Sequence, residues 1–306
     1  MKLTSTIYQT IVKVYGLLPF QKQICHFLRA TGIPSDSFYK DLQFKGEFLV
    51  SMDDEHSFSM IHHKSTIENE TFWKGPFNSW ETHTGWIWQQ LCPISNNVLD
   101  IGANTGIYSL VAKSLNPNAT IVAFEPTVRT FKKLKANVEL NEWDIKVEQL
   151  AVSNKNEKQT LYDTPEENQT SASLSAKKLK DFELYTGGIV EYDVESTRLD
   201  DYLKQHGINE VDLIKLDIEM HEGEAIEGLG ELLYSLRPVV VIEVLSDEVA
   251  NKLNSMINSD FEIFHLEGHQ KVKRVEEFKV VMGKWNYLFF HKDLIEKMKR
   301  STSLYQ

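Results

Sequence analysis

Asp100, Gly102, Asn104, Gly106 and Glu125 are the residues whose types and spacing point most directly to chemistry. They lie in NVLDIGANTGIYSLVAKSLNPNATIVAFEP, residues 97–126. A short apolar run (Val98, Leu99, Ile101) leads into the turn Gly102-Ala103-Asn104-Thr105-Gly106. A helix-like segment follows, then a second apolar run, Thr120 to Phe124, closed by Glu125 and Pro126. Strand, tight turn, helix, strand, acid is the opening of an α/β nucleotide-cofactor site. The glycines let the backbone come close to a ligand, and the acid at the second strand's tip accepts hydrogen bonds from ribose hydroxyls.

The spacing narrows the ligand. A dinucleotide fold calls for G-x-G-x-x-G, whereas this turn reads G-x-N-x-G, and no lysine follows it to cradle a phosphate as in a P-loop. A compact turn preceded by an acid suits a ligand with a ribose and an amino-acid tail but no phosphates. Asp100 can hold an ammonium group, directly or through water, and Glu125 a ribose diol. S-adenosyl-L-methionine is such a ligand. Glu81, just upstream, is a further candidate for the cleft wall. Two other classes stay open: an NAD(P)-dependent oxidoreductase, and a catalytically silent cofactor-binding partner protein.

These residues need a scaffold, and the rest of the chain supplies its pattern. From residue 97 onward strand and helix signals alternate, which implies a parallel sheet covered on both faces. Strands are expected at 97–101, 120–125, 145–152, 211–217, 237–244, 261–266 and 285–291. Helices are expected at 106–115, 127–141, 199–206, 222–235 and 247–258. Residues 153–195 interrupt the rhythm as a polar insertion, and the part at 163–188 is expected to close over an acceptor.

Upstream, residues 1–92 are expected to form a helical and small β cap, with the main domain at 93–306. Residues 1–30 read as amphipathic helices broken near Pro19, docked on the protein's own surface rather than on a membrane, because their polar face is not rich in Arg and Lys. Short apolar runs between 36 and 80 suggest an antiparallel element with a hairpin at 53–56. Neighbouring His62 and His63 would point to opposite faces of a strand, a poor metal-ligand pair.

The formal net charge of -11 gives no global drive toward nucleic acid or anionic membrane. Two cysteines are too few for a disulfide framework or a cysteine-based zinc site. No run reaches the roughly 18 apolar residues of a membrane span, and no signal peptide is evident, so a cytoplasmic enzyme is expected.

The motifs VLDIGANTGIYSL (98–110), AFEP (123–126), LAVSN (150–154), TRLDDYL (197–203), VDLIKLDIEMHEGEAIEGL (211–229) and RPVVVIEV (237–244) together resemble the FkbM family of S-adenosylmethionine-dependent methyltransferases. The resemblance runs from about residue 80 to about residue 290. It implies a Rossmann-like class I α/β fold, with a seven-stranded, mostly parallel sheet whose last strand is antiparallel. O-methylation is the chemistry it implies. Asp100, Gly102, Ala103, Asn104 and Gly106 would wrap the methionine end, Glu125 and Pro126 would meet the ribose, and Ala151, Val152 and Ser153 would border the adenine. Asp217, Glu219 and Glu222 fall in the family's acidic motif beside the transferred methyl. The glycine usual after Asp-x-Glu is here Met220.

Methyl transfer to a hydroxyl needs the nucleophile held in line in a dry site and its proton removed. The candidates for that work are Lys215, Asp217, Glu219, His221, Glu222 and Glu243. Asp217, Glu219 and Glu243 are also of the type that holds a divalent ion, although no metal site is assigned. The expected acceptor is a sugar, glycan or other small metabolite, not nucleic acid: no Asn/Asp-Pro-Pro-Tyr motif follows the fourth strand.

Overall fold

A computed structural model describes residues 5–32, 36–164, 172–175 and 188–305. It divides into two units, Met1–Trp80 and Glu81–Gln306. In the first unit, α1 (Ser5–Leu17) and α2 (Gln21–Thr31) flank a turn at Pro19, which cannot donate to a continuing helix. A short helix, α3 (Asp36–Tyr39), precedes the antiparallel pair β1 (Gly46–Ser51) and β2 (Ser57–His62). Helix α4 (Thr66–Lys74) starts on a capping box in which Glu68 accepts from the Ser65 backbone N–H.

Phe44, Phe48 and Phe72 form the unit's aromatic centre, with Phe72 edge-on to both partners at 4.8 and 5.5 Å. The Tyr15 hydroxyl donates to the Gln43 carbonyl and contacts the Cys25 thiol, tying one face of the helices down. His62 is buried here against Asn69, and burial lowers its pKa to about 4. Both cysteines are free and buried.

The second unit begins with α5 (Thr82–Leu91) and continues β3 (Asn97–Ile101), α6 (Ile107–Leu115), β4 (Thr120–Phe124), α7 (Val128–Leu140), β5 (Ile145–Glu148), β6 (Ala151–Ser153), β7 (Lys158–Asp163) and β8 (Val190–Arg198). Then come α8 (Leu199–Gln205), β9 (Leu213–Leu216), α9 (Glu222–Leu229), α10 (Leu232–Leu236), β10 (Val239–Glu243), α11 (Asp247–Met256), β11 (Phe261–Gly268), β12 (Lys271–Val275), β13 (Asn286–His291) and α12 (Ile295–Ser301). The expected boundary after residue 92 shifts to 80/81, because α5 belongs with the sheet. Trp88 is fully buried, and its indole N–H donates to the Tyr108 carbonyl at 3.0 Å.

The main sheet has eight strands in the order β12-β11-β13-β10-β9-β3-β4-β5. Strands β10, β9, β3, β4 and β5 are parallel, and β13 runs antiparallel between β10 and β11. The α/β architecture and the antiparallel last strand are as expected. The expected count of seven is corrected to eight: the chain reverses after Gly268, with Gln270 at φ +55°, and β12 pairs back along β11.

Other expectations are also corrected. Residues 145–152 do not form one strand: β5 stays in the main sheet, and β6 joins β8 and β7 in a three-stranded sheet. The stretch 153–195 is therefore framed by an antiparallel pair, β7 with β8. Most of the expected lid at 163–188 lies outside the described residues. The helix expected at 222–235 breaks at Gly230, which has φ +57°. The central parallel strands are buried on both faces, which explains why they are mostly apolar, with Asp100 of β3 and Lys215 of β9 as buried exceptions.

Candidate functional site

Strands β3, β9 and β10 end side by side, with Ile101 paired to Leu216 and Leu216 to Ile242. The next residues along the three chains are Gly102, Asp217 and Glu243. This row is the carboxyl edge of a parallel sheet, where open α/β folds place their ligands.

The turn after β3 is tight because its backbone is held from two sides. The N–H groups of Gly102 and Ala103 both donate to the Phe124 carbonyl, at 3.0 and 2.9 Å. Gly102 has φ +82°, and a Cβ there would sit 1.9 Å from the Asp217 carbonyl oxygen. Asn104 takes the left-handed region at φ +53°, which asparagine tolerates better than most residues. Gly106 lies against Leu134 of α7, and Asn137 donates to the Thr105 carbonyl at 2.8 Å. The turn is a rigid cradle with little side chain on it.

Beside it lies an acidic cluster around one lysine, Lys215. Lys215 pairs across the strands with Asp100 and is almost completely buried. Its ammonium donates to Asp217 at 3.0 Å and lies 4.9 Å from the Tyr108 ring centre. Burial alone would lower its pKa, but the charges of Asp217 and Glu81 outweigh burial and raise it, so Lys215 stays protonated. The Tyr108 hydroxyl donates to Glu81, whose backbone is left-handed at φ +43°. Burial lifts Glu81 to about 7, opposed by Lys215.

Asp100 is fully buried. One of its oxygens accepts from Ser109 at 2.5 Å, and the other has no hydrogen-bond partner among the described residues. Burial pushes its pKa to about 6. Burial, then the neighbouring charges of Asp217 and Glu222, hold Glu243 well above the usual carboxylate range.

Glu125 forms a second station. One carboxylate oxygen accepts from the Asn104 N–H at 3.0 Å and the other from the Thr127 N–H at 2.9 Å. Burial still raises its pKa to about 7. Around it stand Arg129, Asp163 and Tyr192, joined by a 3.1 Å Arg129–Asp163 ion pair and a 3.4 Å contact from the Tyr192 hydroxyl. Pro126 follows it, half-buried.

The remaining candidates are placed differently. Glu222 is buried beneath the turn it follows and accepts from the N–H groups of Ile218 and Met220, at 3.1 and 3.2 Å. Its pKa rises to about 7 through burial. That turn carries two successive left-handed residues, Glu219 at φ +60° and Met220 at φ +76°. His221 points to Ser153, 2.9 Å away, and burial lowers its pKa. Ala151, Val152 and Ser153 are buried in β6, and α9 presses so closely that a Cβ on Gly228 would lie 2.1 Å from the Ser153 carbonyl. Their side chains present no open surface to a ligand.

Glu81, Asp100, Lys215, Asp217 and Glu243 thus converge beside the Gly102 turn, while His221 pairs with Ser153 of β6. Among the described residues, no three His, Cys, Asp or Glu side chains are grouped to hold a metal ion. Tyr108 and Ser109 were not among the expected site residues, although both lie in the VLDIGANTGIYSL motif. Asp163 and Tyr192 come from the stretch that reads as an insertion, and nothing in their local pattern marks them.

A Rossmann-like class I methyltransferase architecture is what this sheet and its edge turn define. The Methyltransferase FkbM domain matches residues 100–279, and the chain belongs to that family. Methyltransferase sdnD of Sordaria araneosa is 31% identical over 173 residues, covering 49% of this chain and 67% of that protein. The 31-O-demethyl-FK506 methyltransferase FkbM of Streptomyces tacrolimicus is 28% identical over 167 residues, covering 48% of this chain and 64% of that protein. The chain thus spans about two thirds of the length of these relatives. A crystal structure of Methyltransferase FkbM from Methylobacillus flagellatus KT aligns with a TM-score of 0.40 at 15% identity, covering 64% of this chain and 44% of that one.

Proposed function

We propose that this protein transfers a methyl group from S-adenosylmethionine to a hydroxyl of a sugar, glycan or other small metabolite. One observation carries the reading: beside the Gly102 turn, Asp100, Glu81, Asp217 and Glu243 gather around Lys215, the one lysine of that cluster among the described residues. A cluster with that excess of acid favours a ligand bearing positive charge. The family membership and the O-demethyl substrate in one relative's name support the same reading.

When bound there, S-adenosylmethionine supplies an activated methyl group on a sulfonium. The residues fit it: Glu125, steadied by two backbone N–H groups, accepts from ribose hydroxyls, and Glu81 and Asp217 meet the amino-acid end. Asp100, fully buried, contributes its charge from beneath. Lys215 is a poor base because it stays protonated, and it serves by fixing Asp217. Glu222 is occupied with the turn. Glu243 is the base we favour, since it stands at the β10 tip beside Asp217, and burial, which holds it above the usual carboxylate range, makes its ionised form a stronger proton acceptor.

The test is calorimetry with S-adenosylhomocysteine, followed by methyl transfer from labelled donor to a panel of hydroxyl-bearing acceptors. Saturable binding and labelled product are expected. Absence of binding by both donor and product removes the proposal.

A further inference from the structure

The α1–α2 hairpin leaves a large apolar surface uncovered. One side is used: Tyr15 and Cys25 are buried and bonded to each other. The hairpin also presents Ile11, Val14, Leu17, Leu18, Phe20 and Phe27, with Leu17 86%, Phe20 71% and Phe27 67% exposed. These are half of the exposed large hydrophobic residues of the described chain, gathered on two short helices and the turn between them. Phe20 also holds φ +65°, a backbone region that bulky side chains avoid. An aromatic ring kept in a strained conformation without burial adds nothing to its own unit's core.

Charge identifies what would cover this face. Lys2, Lys13, Lys22 and Arg29 are the charged residues before Asp36, and none is acidic. The first 35 residues therefore carry +4, and the remainder carries -15 to give the total of -11. A basic, aromatic-tipped apolar face on an otherwise acidic protein complements an anionic lipid surface. A second copy of the hairpin would bring like charges together. Helix α1 has 13 residues and no described helix is long and apolar enough to cross a membrane, so the hairpin would lie at an interface.

We propose that the α1–α2 hairpin docks the protein on an anionic lipid membrane, with Leu17 and Phe20 entering the headgroup region and Lys13 and Lys22 meeting the lipid charge. The sparse Arg and Lys of the helices argue against this from sequence alone; the uncovered tip, on a segment with no acid before Asp36, reverses that balance. Only the hairpin's own surface is used, so the proposal stands apart from the methyl-transfer reading.

The experiment is co-sedimentation of the full chain with phosphatidylcholine vesicles, with and without phosphatidylserine. Sedimentation with the serine lipid, weakened by salt, is expected. The double variant Leu17→Asp, Phe20→Asn should bind about tenfold less or weaker still, and Lys13→Glu should also weaken binding. Thermal midpoint should be retained, because asparagine accepts the left-handed backbone at position 20. Failure to sediment with phosphatidylserine vesicles, or equal sedimentation of wild type and double variant, would overturn the proposal. So would a dimer in sedimentation velocity that the double variant dissolves, or hydrogen-exchange protection of residues 17–20 without vesicles, which would mean that the chain covers its own tip.

Discussion

Gly102 and Asp217, on neighbouring strand tips, approach so closely that the space for one methyl group at Gly102 is already filled by the Asp217 carbonyl oxygen, 1.9 Å from where a Cβ would lie. The cradle and the acidic turn are therefore one mechanical unit. Gly102→Ala adds a backbone clash to an unfavourable φ, and should cost about 2–5 kcal/mol of stability together with ligand binding. Denaturant titration alongside calorimetry checks both effects.

Met220 stands at φ +76° where the family resemblance leads one to expect glycine. Met220→Ala and Met220→Gly remove the same packing against the sheet's core, so comparing them isolates the backbone. The glycine variant should be the more stable by about 1 kcal/mol. Equal stability in urea would show that the turn is unstrained at this position.

Glu125 has both oxygens engaged by backbone N–H groups, so its carboxylate is already oriented. Glu125→Gln should weaken S-adenosylhomocysteine binding by about 10- to 100-fold, the value of one or two charge-assisted hydrogen bonds. Calorimetry gives the number. Undiminished affinity would remove the ribose role from this residue.

Burial raises Glu81, Glu125 and Glu222 from 4.5 to about 7. Between those values the folded chain keeps protons that the unfolded chain has released, so stability declines as pH rises through the window and levels off above it. The ligand-free thermal midpoint should be higher at about pH 6 than at about pH 8, and Glu222→Gln should lessen the difference. A midpoint that rises with pH would contradict the shifts.

Glu243 and Glu222 separate chemistry from architecture. Glu243→Gln should lower kcat by about 100-fold or more with S-adenosylhomocysteine affinity little changed. Glu222→Gln keeps a carbonyl oxygen for the Ile218 and Met220 N–H groups, and should retain most activity. The reverse order of effects would move the base to Glu222.

Much of this site was legible along the chain because its parts are local. The Gly102–Gly106 spacing, Glu125 at the end of an apolar run and the alternating pattern after residue 97 depend on neighbours a few positions away. The edge strand β12 escaped notice because its exposed, charged KVKRV carries no core signal. β6 was hidden because only Gln149 and Leu150 separate it from β5, with no glycine or proline between them, so 145–152 reads as one strand until pairing with β8 separates the two. Local sequence also could not rank the acids of VDLIKLDIEMHEGEAIEGL, since all are equally polar on paper.

The chain by itself determined the sheet's parallel centre and the glycine-spaced turn, because hydrophobic period and φ tolerance are written residue by residue. Only the tertiary structure decided the rest. It brought Glu81, Asp100 and Glu243 around Lys215, tied Glu222 to a turn and sent His221 to Ser153. Burial and neighbouring charge set what an acid does, and both arise from contacts between residues far apart in sequence.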